Sequence, residues 1–366
     1  MGPMQPLTLH AEHAALGARF EALSDAEVVA DYGDPLVEHA ALCSTAGVLD
    51  LSARGRFCLT GADRVRLLNG QVTQDVKALA PFTGCRAAFC NAKGRLVAEA
   101  HIYALQDELL LDVEPGATAA LLARLEHHIV ADDVQVVDVA PFYNLLSIQG
   151  PAAEAVVRSA GWPSALPDAP LRVVQAAVPE WGDVYLIRRS RIGGAGFDLF
   201  VPNESTATAY AALYAAARVT GGRAVGFTAL DWARTEAGIP RFGVDMDETN
   251  LPPEAGMERD AISYSKGCYT GQETIARLRT YGQVTKALRG LSLPDSLADL
   301  PLRGDALVRE GREVGKITSA IRSPRLERNI ALGYVRKECN APGTELLVRR
   351  ASGETFPATV VEIPFR

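Results

Sequence analysis

The stretch Lys266-Gly267-Cys268-Tyr269-Thr270-Gly271-Gln272-Glu273 holds the residue types and spacing best suited to chemistry. It sets one thiol two residues after a cation and three before a glycine. From Gln272 the sequence Gln-Glu-Thr-Ile-Ala-Arg-Leu-Arg reads as a short helix, so Cys268 is expected just ahead of a helix N-terminus. Exposed N–H groups and the helix dipole favour an anion there, and Lys266 would add positive charge. Such surroundings draw a thiol from ~8.5 toward neutrality and make it a nucleophile, a metal ligand or a redox group. Gly267 and Gly271 permit a tight turn and close backbone approach. The bland alternative is a buried cysteine in a turn, because unpaired cysteines are commonly buried. The neighbouring Lys, both Gly and the Gln272-Glu273 pair favour the chemical reading. Cys268 and Lys266 are therefore the candidate catalytic pair, framed by Gly267, Tyr269, Gly271, Gln272 and Glu273.

Other candidate groups are weaker. The six cysteines, at 43, 58, 85, 90, 268 and 339, show no paired CxxC spacing, so no structural zinc site and no self-contained cluster is expected. His127-His128 ends an amphipathic helix and reads as a surface pair favoured by the helix C-terminus rather than as metal ligands. No metal is assigned.

The elements that must position the thiol can be read along the chain. Residues 1–30 form an Ala-rich lead, expected as one helix. Asp34-Pro35 starts a helix with a capping acid and Pro at the first helical position. Strands are expected at Val48–Ser52 and Arg56–Thr60 with Arg54-Gly55 as the turn, then a helix over Asp63–Gly70. Ala87–Tyr103 reads as a hairpin turning at Asn91-Ala92-Lys93-Gly94. Leu109–Val113 is a further strand and Ala117–Val130 an amphipathic helix. A second unit begins near Pro141, with strands at Leu145–Ile148, Val184–Arg188 and Phe197–Val201 and helices after Gly150-Pro151 and over Thr206–Val219. Ala224–Ala237 is a helix with Gly238 placed to cap its end. Beyond Leu293-Pro294, short strands between Gly and Pro turns predict a small antiparallel barrel, with the linker at Pro294–Pro301.

Composition bounds the function. With 366 residues, 48% hydrophobic and 22% charged, the chain reads as a globular protein of two or three domains. A net charge of -7 argues against general nucleic-acid binding. No apolar run approaches the ~20 residues of a membrane span. No signal peptide is visible, and unpaired cysteines fit a reducing compartment, so a cytoplasmic location is expected.

The order of segments resembles the folate-binding superfamily of the glycine-cleavage T-protein (aminomethyltransferase). The pieces that carry the likeness are Glu38-His39-Ala40, Gly47-Val48-Leu49-Asp50-Leu51-Ser52, the run Asn69–Asp75, Gln149-Gly150-Pro151, Gly196-Phe197-Asp198, the helix Gly226–Gly238, and Gly315–Ser319 with Ser323-Pro324. Within that superfamily the cysteine stretch resembles the signature of the YgfZ-type branch, folate-binding proteins implicated in assembly or maintenance of iron–sulfur enzymes. The likeness runs from about Asp31 to the C-terminal barrel. It implies an α+β fold built as a T-protein-like three-domain ring. Residues 31–140, completed by 224–283, would form the first unit, 141–223 the second, and 284–366 the barrel.

The resemblance also implies tetrahydrofolate, or a one-carbon derivative, as ligand, and iron–sulfur client or assembly proteins as partners. An alternative is a folate-dependent aminomethyl- or methyltransferase acting on an unidentified donor. The implied folate contacts are Asn91, Glu99, Asp198, Arg234 and Glu236. A carboxylate can accept both the amino group and the ring N–H of a pterin. Asp198 and Glu236 are candidates for that task, with a loop-bonded strand-end acid and a structural ion pair as their plainer roles. Asn91 equally serves its turn. Arg277 and Arg279 are candidates for a glutamate tail or simply surface arginines. The family's adjacent aspartates on the hairpin are here Ala98 and Glu99. Its Tyr-Thr-Gly-Glu loop is Arg191-Ile192-Gly193-Gly194, its pterin acid is the shorter Asp198, and a helix Arg is Leu230. Cys268 alone cannot hold a cluster, which wants about four thiolates. Sharing iron with a partner, a mixed disulfide and attack on a one-carbon adduct stay open.

Overall fold

The computed structural model describes residues 6–365. Its architecture is α+β, with two sheets packed against each other and a closed antiparallel barrel at the C-terminal end. The first sheet has five strands in the order Thr83–Cys90, Leu96–Ala104, Leu109–Val113, Gly55–Thr60, Gln135–Asp138. The second has six, in the order Val173–Val178, Gly182–Arg188, Gly196–Pro202, Tyr143–Gln149, Gly47–Asp50, Arg223–Ala224. Leu110 and Tyr103 of the first sheet meet Leu145, Ile187 and Phe200 of the second in one buried cluster. The outer face of the first sheet is covered by the helices Arg64–Gln71 and Thr118–His128, and that of the second by Ala153–Ser159 and Thr206–Val219. Strands buried on both faces explain the apolar runs Leu109–Val113 and Gly196–Pro202.

Local signals place several elements as expected. Asp34 accepts from the backbone N–H of Leu36 and Val37 at the start of the helix Pro35–Ser44. The helix Phe227–Glu236 ends at Ala237, and Gly238, at φ +67°, turns the chain away. The barrel runs Lys286–Ser292, Arg328–Arg336, Arg312–Ser323, Ala306–Arg309, Glu345–Arg349, Thr355–Val361, closing back on its first strand.

Four expectations need correction. Of the lead, residues 1–5 lie outside the described residues. The remainder is not one helix but a short helix, His10–Ala15, and a hairpin, Arg19–Leu23 with Ala26–Asp31. Gly47–Asp50 and Gly55–Thr60 do not pair as a hairpin: the chain crosses between sheets at Arg54, and Gly47–Asp50 bonds to Tyr143–Gln149 instead. Val173–Val178 is a strand that the Pro-punctuated loop before it concealed. The barrel's first strand, Lys286–Ser292, precedes the linker placed at Pro294–Pro301.

Candidate functional site

Strand alternation builds one wall of a cavity between the two sheets. Along Leu96–Ala104, Leu96, Ala98 and Ala100 turn to the buried core while Glu99 and His101 turn the other way. His101 lies opposite Asp112 on the neighbouring strand. From the second sheet come Arg189 and Arg191, just beyond Gly182–Arg188, and from the helix Phe227–Glu236 come Leu230, Asp231 and Arg234. The resulting cavity has a volume of about 240 Å³.

Its chemistry is dominated by arginine. Asp112 is fully buried and accepts from Arg54 Nε at 2.6 Å, from Arg189, and from Arg191 at 3.4 Å. Burial alone would raise this carboxyl, but Arg54, Arg189 and Arg191 outweigh it and hold it well below the usual range. Arg54 also binds Glu114. Burial, with the Arg189 guanidinium beside it, drives His101 well down, so its ring is neutral and Nδ1 accepts from Arg189 at 2.9 Å. Arg86 donates to Glu99 at 2.6 Å and reaches Asp260 at 3.3 Å. Arg234 holds Asp231 at 2.9 Å, Ser319 at 2.9 Å and Asp245. The arrangement offers guanidinium donors and half-open carboxylates to a ligand bearing both acidic and N–H groups.

The residues named from sequence divide sharply. Glu99 and Arg234 line the cavity. Asp198 is buried at the cavity's edge, with both oxygens engaged: Oδ1 accepts from Ser147 at 2.7 Å and Arg191 Nε at 3.1 Å, and Oδ2 from Arg191 at 2.7 Å. Ser147 and Arg191 thus take three of its roughly four acceptor positions. Glu236 is not part of the cavity. It accepts from Ser323 Oγ at 2.5 Å and His39 Nε2 at 3.0 Å, tying two helices to the barrel as a structural node. Asn91 serves its turn: Oδ1 accepts from the backbone N–H of Lys93 at 2.9 Å and of Arg95 at 3.1 Å. Arg277 pairs with exposed Glu273 at 2.7 Å, and Arg279 stacks 3.9 Å from the Tyr264 ring centre.

Cys268 is exposed and precedes the helix Gln272–Tyr281 as expected, but it is not among the cavity-lining residues. Gly271, at φ +86°, sits so close to the hairpin turn that an added Cβ would lie 2.5 Å from the Asn91 carbonyl oxygen. Tyr269 is buried against Cys90, Leu96 and Ile275. The hydrogen bonds of Lys266 go to backbone rather than to the thiol. Its ammonium donates to the carbonyls of Asn69 at 2.6 Å, Val72 at 2.8 Å and Gln74 at 2.7 Å, using all its N–H groups. Burial lowers it to about 8. Sequence reasoning missed Arg54, His101, Asp112 and Arg189, and named Gln149 only within the Gln149-Gly150-Pro151 likeness. Gln149 holds the arginine loop, donating to Arg189 O at 3.0 Å and accepting from Arg191 N at 2.9 Å.

Residues 9–266 match the GCVT N-terminal domain and residues 271–366 the glycine cleavage T-protein C-terminal barrel domain. The chain therefore belongs to the glycine-cleavage T-protein family. An aminomethyltransferase of Rubrobacter xylanophilus is 30% identical over 366 residues, covering 100% of this chain and 95% of that protein. One from Streptomyces coelicolor is 29% identical over 365 residues, covering 98% of this chain and 96% of the relative. The fold matches the crystal structure of glycine cleavage system aminomethyltransferase T from Bartonella henselae with a TM-score of 0.87 at 23% identity, over 99% of this chain and 98% of that one. Among the described residues no helix is long and apolar enough to cross a membrane.

Proposed function

We propose that the chain is a tetrahydrofolate-binding member of the T-protein family that serves iron–sulfur enzymes through Cys268, rather than a glycine-cleavage transferase. The observation that carries this reading is a contrast between two places. The places of the transferase's acids are altered or engaged, with Ala98 buried and Asp198 bonded to Arg191, while Cys268 stands exposed on a turn packed closely against the Asn91 hairpin. The lining still fits a folate. Asp231 and Asp260 are carboxylates partly open to the cavity, Arg86 and Arg241 suit a glutamate tail, and Phe227 and Leu230 give the ring an apolar surface. Small-molecule sites run from about 300 Å³ upward, so a folate extends beyond a cavity of about 240 Å³. Bound there, tetrahydrofolate would supply a one-carbon carrier. The units 31–140 with 224–283, 141–223 and 284–366 would frame it, in a cytoplasmic protein.

A second reading is folate-dependent aminomethyl or methyl transfer from an unidentified donor, and the comparisons support it more directly. Both curated relatives named above are aminomethyltransferases, matched over nearly their full length. Glu99, placed in the cavity beside Arg86, is the acid that would replace the lost aspartate.

Tetrahydrofolate titration of wild type, Cys268→Ala and Glu99→Gln separates the two. It is joined to rescue of iron–sulfur enzyme activity in cells lacking the native protein, and to an aminomethyl-transfer assay. The first reading expects folate binding by all three, rescue lost only with Cys268→Ala, and no transfer. Full rescue by Cys268→Ala overturns it. Transfer that disappears with Glu99→Gln establishes the second.

A further inference from the structure

Away from the cavity, at the seam between the helices Pro35–Ser44 and Phe227–Glu236 and the barrel, three side chains with metal-binding chemistry meet. His39 and Cys43 stand four residues apart on one helical face. His39 Nε2 lies 3.0 Å from Glu236 Oε2, and Cys43 Sγ lies 3.8 Å from His39 Nε2 and 3.9 Å from Nδ1. One donor atom from each residue falls within 4.8 Å of the other two. We propose that His39, Cys43 and Glu236 form a binding site for one zinc-class divalent transition-metal ion, held by imidazole, thiolate and carboxylate with a fourth position open to solvent.

Tetrahedral zinc sits about 2.0–2.2 Å from nitrogen and oxygen ligands and about 2.3 Å from sulfur, which sets the ligand atoms roughly 3.3–3.6 Å apart. The His39–Glu236 edge is slightly shorter than that and the Cys43–His39 edge slightly longer, while the Cys43–Glu236 edge lies within 4.8 Å. The side chain that has to adjust is the exposed one, Cys43, while His39 and Glu236 are fixed by burial. Glu236 is already oriented for the task. Ser323 Oγ at 2.5 Å and the Arg325 backbone N–H at 3.3 Å occupy Oε1, which leaves Oε2 facing His39. Supporting hydrogen bonds of this kind fix a ligand carboxylate. The Arg325 guanidinium approaches Oε2 at 3.3 Å, but it is 46% exposed and can withdraw into water. The donor set of one nitrogen, one sulfur and one oxygen selects zinc-class ions over calcium or magnesium, which take oxygen ligands. On binding, the Cys43 thiol releases its proton to solvent. The hydrogen that His39 shares with Glu236 leaves Nε2, moving to Nδ1 of a neutral ring or, from an imidazolium, to solvent.

The test is a cobalt(II) titration of the full chain, freed of metal with a chelator and held at about pH 8.5, where ligands deprotonate readily. Wild type is expected to bind one equivalent, with a thiolate-to-cobalt charge-transfer band and the visible bands of four-coordinate cobalt. Cys43→Ser should lose the charge-transfer band and weaken zinc binding by at least about tenfold in competition with a chromophoric chelator. Being an exposed and conservative change, it tests the site even where His39→Gln destabilises the seam. Cys268→Ser should bind cobalt with the same charge-transfer band as wild type. Absence of the band in wild type overturns the proposal. So does a band that survives Cys43→Ser, because the ion then sits on another thiol.

Discussion

Replacing Lys266 with Met tests whether this lysine is a backbone clamp or a partner of the thiol. Methionine keeps an apolar stem and removes only the ammonium that bridges the carbonyls of Asn69, Val72 and Gln74. Its removal leaves three buried carbonyls without that donor, at about 1 kcal/mol or more each, so the expected loss is about 3 kcal/mol, read as a lower urea midpoint with an unchanged slope. Burial lowers the lysine from 10.5 to about 8, which sets the sign of the pH dependence. The folded chain gives up this proton before the unfolded chain does, so wild-type stability rises between about pH 8 and 10.5. Lys266→Met lacks that rise. Alkylation of Cys268, resolved from the exposed Cys43 by peptide mass mapping, should proceed within about twofold of the wild-type rate. A stability loss under about 1 kcal/mol, or a tenfold slower Cys268, refutes the clamp.

Two further outcomes follow from the geometry. Gly271→Ala puts a methyl group 2.5 Å from the Asn91 carbonyl oxygen at φ +86°, and should cost at least about 2 kcal/mol in urea unfolding. Gly267→Ala, with nothing within 4 Å, should change stability by less than about 0.5 kcal/mol; equal losses would mean the turn is not docked. Arg191→Tyr releases Oδ2 of Asp198, while Arg189, 3.5 Å away, keeps the charge paired. Regaining one charge-assisted acceptor should tighten tetrahydrofolate binding by about tenfold in calorimetry, and unchanged or weaker binding would remove Asp198 from the folate pocket.

Features set by neighbouring residues were legible in the sequence. The Asp34-Pro35 helix start, the Asn91–Gly94 turn and the helix after Gly271 each depend on a few consecutive side chains. Partnerships across the chain were not. The strand Gly47–Asp50 pairs with Tyr143–Gln149, and nothing local distinguishes that from the hairpin its Gly55 turn invited. Lys266 reads as a neighbour of Cys268, yet its acceptors lie 192 to 197 residues earlier in the chain. His39 and Cys43 share a helical face that spacing alone reveals, but Glu236, their third partner, is 197 residues from His39.

Asp112 marks the boundary between the two kinds of information. It stands in Leu-Leu-Leu-Asp-Val, a run whose five residues are all buried. A lone carboxylate in such a strand requires cationic or hydrogen-bonding partners, because an unpaired buried charge is too costly. The sequence therefore contains the demand for a buried arginine cluster, and the alternation of Leu96–Ala104 further places Glu99 and His101 on the face opposite the core. It does not contain the answer, since 37 lysines and arginines could meet the demand. Packing one sheet on the other selects Arg54, Arg189 and Arg191. That selection also pairs Arg191 with Asp198.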